Sequence, residues 1–448
     1  MNSLTTPSQP RTTRRDFLKT SSQAVALTAL AGAVARPGYT AEANTIKLAL
    51  VGCGGRGTGA TAQALSTQGP TKLVAMADVF PNRLESSFKT LSGQKAAQLD
   101  VPPERRFIGL DAFKKAIDCL DKGDVVLLTT APGFRPIHLD YAVQKGVNVF
   151  MEKSFAVDSA GTRRVIKAGE AAKAKNLKIA GGLMSRHSKG IEETIQRIHG
   201  GEIGDVITVW SYRMHGPVGL SPKQAGEKDL AHQIRNYSNY TWLNGSFYVD
   251  WLIHNVDVAC WVKNEWPVSA QGMGGRQVRK EGDQLFDHYA VENHFADGTR
   301  MFGQARHINK CYDFWGVVVH GSKGSAILGE GQPKPRIFKG WKQTTENVTW
   351  AYKGSSDPYQ NEHDIFFDAI RTDKPYNEAE RCAKSCQTAI MGRMACESGL
   401  MLTWDEALAS EVQLAPNLEN LVWDGPAPAM PDAEGHYAIA MPGQTKVI

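Results

Sequence analysis

A mostly apolar run, Ile46-Lys47-Leu48-Ala49-Leu50-Val51, leads straight into Gly52-Cys53-Gly54-Gly55-Arg56-Gly57. No other stretch restricts the possible folds as much. A buried strand entering G-x-G-x-x-G and then a helix is one arm of a parallel βαβ unit. Gly52 allows the tight turn, Gly54 lets the backbone approach a pyrophosphate, and Gly57 permits close helix packing. The helix expected over 58–66 turns its N–H groups and positive dipole end toward phosphate. Gly55 and Arg56 belong to the same loop and are candidate cofactor contacts. A second apolar run, 72–77, ends at Asp78, about 20 residues past Gly57. A carboxylate there accepts from ribose hydroxyls and repels a 2′-phosphate, so NAD is favoured over NADP. Arg83 is the nearby cation that would favour NADP.

Two more buried runs, 124–130 and 148–151, are separated by helical segments, as in a parallel α/β sheet. The second half changes character. Residues 206–214 alternate like a half-exposed strand. Residues 288–295 and 299–305 flank Asp297-Gly298 as a hairpin, and 315–319 and 325–328 form another around Gly321-Ser322-Lys323-Gly324. Helices are expected over 362–370 and 380–398, the latter ended by Gly399. The expected fold is α/β: an N-terminal Rossmann-type parallel sheet domain, then a C-terminal α+β domain with a largely antiparallel open sheet. The expected boundaries are 1–43, an export signal; 44–170, the NAD-binding domain; 171–410, the substrate-binding and dimerisation domain; and 411–448, an irregular arm that Trp423 and Tyr437 could anchor.

The 448 residues suit two domains, and 22% charged with 42% hydrophobic residues excludes collagen, low-complexity disorder and a polytopic membrane protein. Thr13-Arg14-Arg15-Asp16-Phe17-Leu18-Lys19 is a twin-arginine pattern. The short apolar run 24–35 and Ala41-Glu42-Ala43 complete the order of an export signal. That run is too short to span a bilayer, so the mature protein is expected to have no stable membrane insertion. The segment carries three of the five formal positive charges. The remainder is nearly neutral and has no electrostatic footprint for nucleic acid. The seven cysteines are odd in number, and Cys382 and Cys386 lie four apart without a nearby histidine pair. Neither a disulfide framework nor a metal site is expected.

Glu152-Lys153-Ser154 follows the fourth apolar run, and Asp250-Trp251-Leu252-Ile253-His254-Asn255-Val256-Asp257 lies in a helical pattern. These motifs, with the glycine loop, Asp78, the turn Thr129-Thr130-Ala131-Pro132 and His138, resemble the Gfo/Idh/MocA oxidoreductases. That family is named for glucose–fructose oxidoreductase and inositol dehydrogenase. The resemblance extends over nearly all of the chain beyond the signal. One departure is Ser154, where the family carries proline.

The resemblance implies an NAD-dependent oxidoreductase acting on a CH–OH group of a sugar or cyclitol, homo-oligomeric through its open sheet. It places Thr130, His138, Glu152 and Lys153 at the cofactor. Arg186 and His187, after the apolar 178–183 run, would touch cofactor or substrate, or form a surface turn. His138 could equally begin a helix. At helical spacing, Asp250, His254 and Asp257 share one face. An imidazole of ordinary pKa, about 6.5, can take the hydroxyl proton that must leave during carbinol oxidation. His254 is therefore the expected base, Lys153 the stabiliser of developing alkoxide, and Asp250 a substrate-positioning group, with Asp257 behind them. The aromatic stretch 232–251, with Tyr237, Tyr240, Trp242 and Trp251, is either a carbohydrate platform or core.

An exported enzyme works where free NAD is scarce, so a tightly retained cofactor is expected. A redox-neutral NAD-dependent glycoside hydrolase is the alternative. A noncatalytic sugar- or nucleotide-binding protein is a further alternative, which Lys153 and His254 count against.

Overall fold

The computed structural model describes residues 44–280, 282–329 and 334–448. The export signal expected at 1–43 lies outside the described residues. Six strands form a wholly parallel sheet: β1 (Ile46–Val51), β2 (Thr71–Asp78), β3 (Arg106–Ile108), β4 (Val125–Leu128), β5 (Asn148–Glu152) and β6 (Ile179–Gly182). Their order is β3-β2-β1-β4-β5-β6, the Rossmann arrangement. The order in which successive strands are added reverses between β1 and β4, which opens a crevice at their carboxyl ends. Strands β4 and β5 are buried along their whole length, because helices cover both faces of a parallel sheet.

Gly52 has φ +100°, and a Cβ on Gly57 would sit 2.0 Å from the Gly52 carbonyl oxygen. Both positions therefore demand glycine. Helix α1 (Gly55–Ala64) begins three residues before the expected 58, because the glycine loop itself supplies the first turn. The parallel sheet also outlasts the boundary expected at residue 170. Helix α2 (Ser159–Ala174) is the crossover into β6, so it lies inside the first domain and does not end it. A helix from the far end of the chain, α3 (Pro358–Arg371), returns to this domain. It buries Phe366, Phe367 and Ile370 with Leu48 and Leu50.

The second sheet has nine strands, in the order β14-β13-β12-β11-β7-β10-β9-β8-β15. In chain order these are β7 (Val206–His215), β8 (Ser269–Gly275), β9 (His288–His294), β10 (Arg300–His307), β11 (Phe314–Gly321), β12 (Gly324–Leu328), β13 (Arg336–Lys339), β14 (Val348–Ala351) and β15 (Leu402–Thr403). Both expected hairpins form, and among the described residues of this sheet only β7 and β10 pair in parallel. Strands β9 and β10 alternate buried and half-buried residues. The inner face of β7 is marked by Ser211, whose hydroxyl donates to the Asn255 carbonyl at 3.1 Å. On the outer face Trp210 stacks on Phe302 with ring centroids 4.3 Å apart. A long helix at Ala379–Ser398, buried along most of its length, packs against β8 and β9.

The helix expected across Asp250–Asp257 is divided in two. Phe247–Asp250 forms a short helix, residues 251–252 turn, and a second helix runs Ile253–Lys263. Carbonyls that a continuous helix would use are taken by side chains from the end of β5. Lys153 Nζ donates to the Asp250 carbonyl at 2.5 Å, and Ser154 Oγ donates to that of Val249 at 2.9 Å. The C-terminal arm is anchored as expected: Trp423 packs edge-on to Phe80 at 5.9 Å, and Tyr437 to Tyr240 at 5.2 Å.

Candidate active site

A cavity of about 960 Å³ lies at the crevice between β1 and β4. Its walls bring together Gly52, Gly54, Gly55, Arg56, Gly57, Asp78, Thr130, His138, Glu152 and Lys153 from the first domain. Tyr237, Asp250 and Trp251 come from the second half. Three expected site residues, Arg186, His187 and His254, are not among its lining residues.

One end is built around Asp78. Its two carboxylate oxygens accept from the Cys53 amide at 2.6 Å and the Phe80 amide at 2.9 Å. Burial raises its pKa, against the pull of those amides and Arg83. Arg83 Nη2 donates to the Arg235 carbonyl at 3.1 Å. In the loop, a Cβ on Gly54 or Gly55 would meet nothing within 4 Å. The space beside these glycines is open to a ligand. Gly54 is extended and the start of α1 has no side-chain cap, which suits an anion.

The turn after β4 is held by Arg135, which donates to the Leu128 and Thr130 carbonyls at 2.6 Å each. His138 is both helical, within Arg135–Lys145, and part of the cavity wall. Its Nδ1 lies 3.2 Å from Thr130 Oγ1, and its ring stacks on Phe113 at 4.0 Å. Burial, with Arg135 nearby, pushes its pKa down to about 3. Arg56 Nε pairs with Glu152 at 2.5 Å and its guanidinium lies 4.8 Å from the Tyr359 ring centroid. This pair ties the glycine loop to the end of β5.

At the inner end, Lys153 Nζ also lies 3.1 Å from Asp250 Oδ1 and 5.8 Å from the Trp251 ring centroid. Burial disfavours its charge, but Asp250, Tyr237 and Glu152 together outweigh burial and raise the lysine pKa. Lys153 is a charged donor. His254 differs from the ordinary imidazole expected. It is 8% exposed, and burial, Lys153 and Arg213 together press its pKa to about 3. Among the described residues nothing hydrogen-bonds its Nδ1. Lys153 is thus a charged donor in the cavity wall, whereas His254 is a buried neutral imidazole within its electrostatic reach and a weaker base than the ordinary imidazole expected.

Asp257 does not share an open face with them. It is fully buried, bonded to Arg186 Nε at 2.7 Å and to Ser385 Oγ at 2.6 Å, with Arg381 at 3.4 Å. Burial would raise its pKa, but the two guanidiniums and Ser385 hold it near 2. Arg186 is thus committed to Asp257 and not to the cavity. His187 is buried 4.0 Å from Glu378. The 3₁₀ turn Met184–His187 carries both side chains into this internal ion-pair cluster. In the aromatic stretch Tyr237 and Trp251 reach the cavity, whereas Tyr240, Trp242, Phe247 and Tyr248 are core. Arg213, Tyr359 and Glu362 stand near the site and were not singled out by sequence reasoning. Arg213 carries a readable signal, a charge on the inner face of the alternating β7 run. Tyr359 and Glu362 arrive on a helix some 200 residues downstream of β5 and carry none.

Residues 191–327 match the GFO/IDH/MocA C-terminal domain. The matched segment runs from the helix Lys189–His199 into β12 and holds Arg213, Asp250 and His254. The chain is 25% identical over 335 residues to an inositol 2-dehydrogenase of Burkholderia lata, covering 73% of this chain and 86% of that protein. These matches support the Gfo/Idh/MocA family. Among solved structures, an aldose-aldose oxidoreductase from Caulobacter crescentus superposes with a TM-score of 0.62 at 19% identity, over 80% of this chain and 99% of the other. A scyllo-inositol dehydrogenase from Lactobacillus casei, solved with NAD(H) and scyllo-inositol, gives 0.59 at 20% identity, over 81% and 99%. At these identities the likeness is one of fold. Among the described residues no cluster of three or more His, Cys, Asp or Glu side chains could hold a metal ion, and no helix is long and apolar enough to cross a membrane.

Proposed function

We propose that this protein belongs to the Gfo/Idh/MocA family and oxidises a CH–OH group of a sugar or cyclitol with NAD that it keeps bound. The observation that carries the reading is the pairing of Lys153 with Asp250 in the wall at the inner end of a crevice whose other end holds Asp78 and the glycine loop, with His254 buried within electrostatic reach of Lys153. The cavity is of a size that takes a ligand of this class, and the open space at Gly54 and Gly55 suits a pyrophosphate. The inositol 2-dehydrogenase relatives and the Lactobacillus casei complex support NAD and a cyclitol or sugar.

Bound NAD would supply the hydride acceptor, and a second, carbonyl-bearing substrate would take the hydride back from the retained cofactor. Lys153 holds the substrate hydroxyl oxygen and stabilises its negative charge as the proton leaves. His254, neutral at any working pH, accepts that proton. Asp250 fixes Lys153, and Trp251 offers an aromatic face to the C–H side of a sugar ring. Retention of NAD is the part of the proposal that rests on the export signal at 1–43, which would carry the folded enzyme away from the cytoplasmic NAD pool. The test is a panel of free sugars and cyclitols with NAD supplied. Nicotinamide reduction with one keto product per turnover supports the reading. No reduction by any member, with NAD demonstrably bound, defeats it.

A further inference from the structure

Arg213 is unlike the other arginines around this site. Arg56 is paired with Glu152, Arg186 with Asp257 and Arg381 with Glu378. Among the described residues no carboxylate lies within ion-pair distance of Arg213, and no hydrogen bond reaches its Nε, which is buried. Its side chain is half-buried, and its terminal nitrogens are not among the buried unpartnered atoms. The guanidinium lies 4.2 Å from the Trp315 ring centroid and 5.0 Å from that of Trp251. Two indoles thus hold it in place without neutralising it.

Arg213 is not itself a lining residue of the cavity, but it meets the cavity's inner end through Trp251, which is one. Arg213 stands two residues after Ser211 on β7, on the inner face that meets the Ile253–Lys263 helix. Trp251 is shared with Lys153, which lies 5.8 Å from the same ring. The Lys153 charge is balanced by Asp250, so Arg213 is the uncompensated cation of this corner. Leaving a half-buried guanidinium unpaired is costly, and a planar fork is suited to a carboxylate.

We infer that Arg213 receives the carboxylate of an acidic sugar, so that the substrate class is a uronic acid or its glycoside. This rests on the oxidoreductase reading above and names its substrate. Burial presses the Arg213 pKa down to about 10, and Arg213 helps depress His254. A bound carboxylate would relieve both effects, and would thereby make His254 a better base only when the right substrate is present.

The experiment uses the NAD-loaded protein and four probes: D-glucuronate, D-galacturonate, D-glucose and D-galactose. Intrinsic tryptophan fluorescence reports binding beside Trp251 and Trp315, and nicotinamide absorbance reports turnover. The acids are expected to saturate the fluorescence change and to exceed the neutral sugars at least about tenfold in kcat/KM. Arg213→Gln should lower kcat/KM for the acids roughly hundredfold and abolish the preference, while Arg213→Lys keeps part of it. Retained NAD in each variant shows that it is folded. Neutral sugars turned over as well as acids, or both classes falling equally in Arg213→Gln, would overturn the inference and leave the oxidoreductase reading standing. Oxidation of no CH–OH compound by the loaded protein would remove both.

Discussion

Lys153 Nζ bonds both the carbonyl oxygen of Asp250, at 2.5 Å, and its Oδ1, at 3.1 Å. One contact therefore joins the end of β5 to the break between the helices Phe247–Asp250 and Ile253–Lys263. Lys153→Met should lower kcat by about a thousandfold while changing NAD affinity only a few-fold. Lys153→Arg should not rescue it, since a planar fork does not replace a point charge here. Steady-state kinetics with parallel NAD titration checks this. A variant near wild-type rate would remove Lys153 from the chemistry.

The same contact sets the lysine's titration. Against burial, Asp250 contributes most to raising the Lys153 pKa, with Tyr237 and Glu152 adding to it. Asp250→Asn should therefore let burial win and lower that pKa. The alkaline limb of the rate profile should move to lower pH, and an unmoved limb would mean that Lys153 is not the group titrating there.

His138 and His254 are both held near pKa 3 by burial and neighbouring cations. Unfolded, each titrates near 6.5. Below about pH 6.5 the unfolded chain takes up protons that the folded chain refuses. Stability present above that pH is thus lost as pH falls toward about 3. The loss is on the order of 2 kcal/mol per histidine between pH 7 and pH 5. Urea midpoints at the two pH values should converge in a His138→Leu, His254→Gln double variant. An unchanged difference would contradict the account.

Asp78 takes the Cys53 and Phe80 amides through its two carboxylate oxygens and faces the cavity. Asp78→Ser should weaken NAD by about ten- to a hundredfold and, with Arg83 beside it, raise the relative affinity for NADP. Binding titrations with both nucleotides measure this. An unchanged ratio would place the ribose elsewhere.

Asp257 and Arg186 are an internal pair, so their loss should be felt as instability. Asp257→Asn leaves two guanidiniums facing a neutral group and should cost about 3–5 kcal/mol of unfolding free energy. Substrate KM at a temperature where the variant is folded should change little. A large KM change at unaltered stability would return Arg186 to the substrate.

Strands β1, β2, β4 and β5, both hairpins and the glycine loop were legible because each is a local pattern of apolar run, alternation or turn residues. The three-residue β3 was not, since Arg106–Ile108 is half-exposed and too short to show a period. Nor was the division at Asp250: helical spacing is continuous there, and the break depends on carbonyls taken by Lys153 and Ser154, about a hundred residues earlier in sequence. That the glycine loop and Asp78 line one cavity follows from the motif, whereas Thr130, His138, Glu152 and Lys153 were expected there from the resemblance. The fate of Arg186 and Asp257 could not be read, because a charge on a helix face looks the same whether it meets water or a buried partner. The depressed pKa of His254 likewise comes from burial, with Lys153 and Arg213 reaching it from two other elements.

The proposed retention of NAD in the crevice beside Lys153 is the central point to test. It is tested most directly by purifying the protein, adding no nucleotide, mixing it with the sugar panel, and then quantifying the nucleotide released on denaturation. About one NAD per chain, reduced when an oxidisable sugar is present and remaining oxidised in the Lys153→Met and His254→Ala variants, is the expected result. A chain that releases no nucleotide, or bound NAD that no sugar or cyclitol reduces, would contradict it.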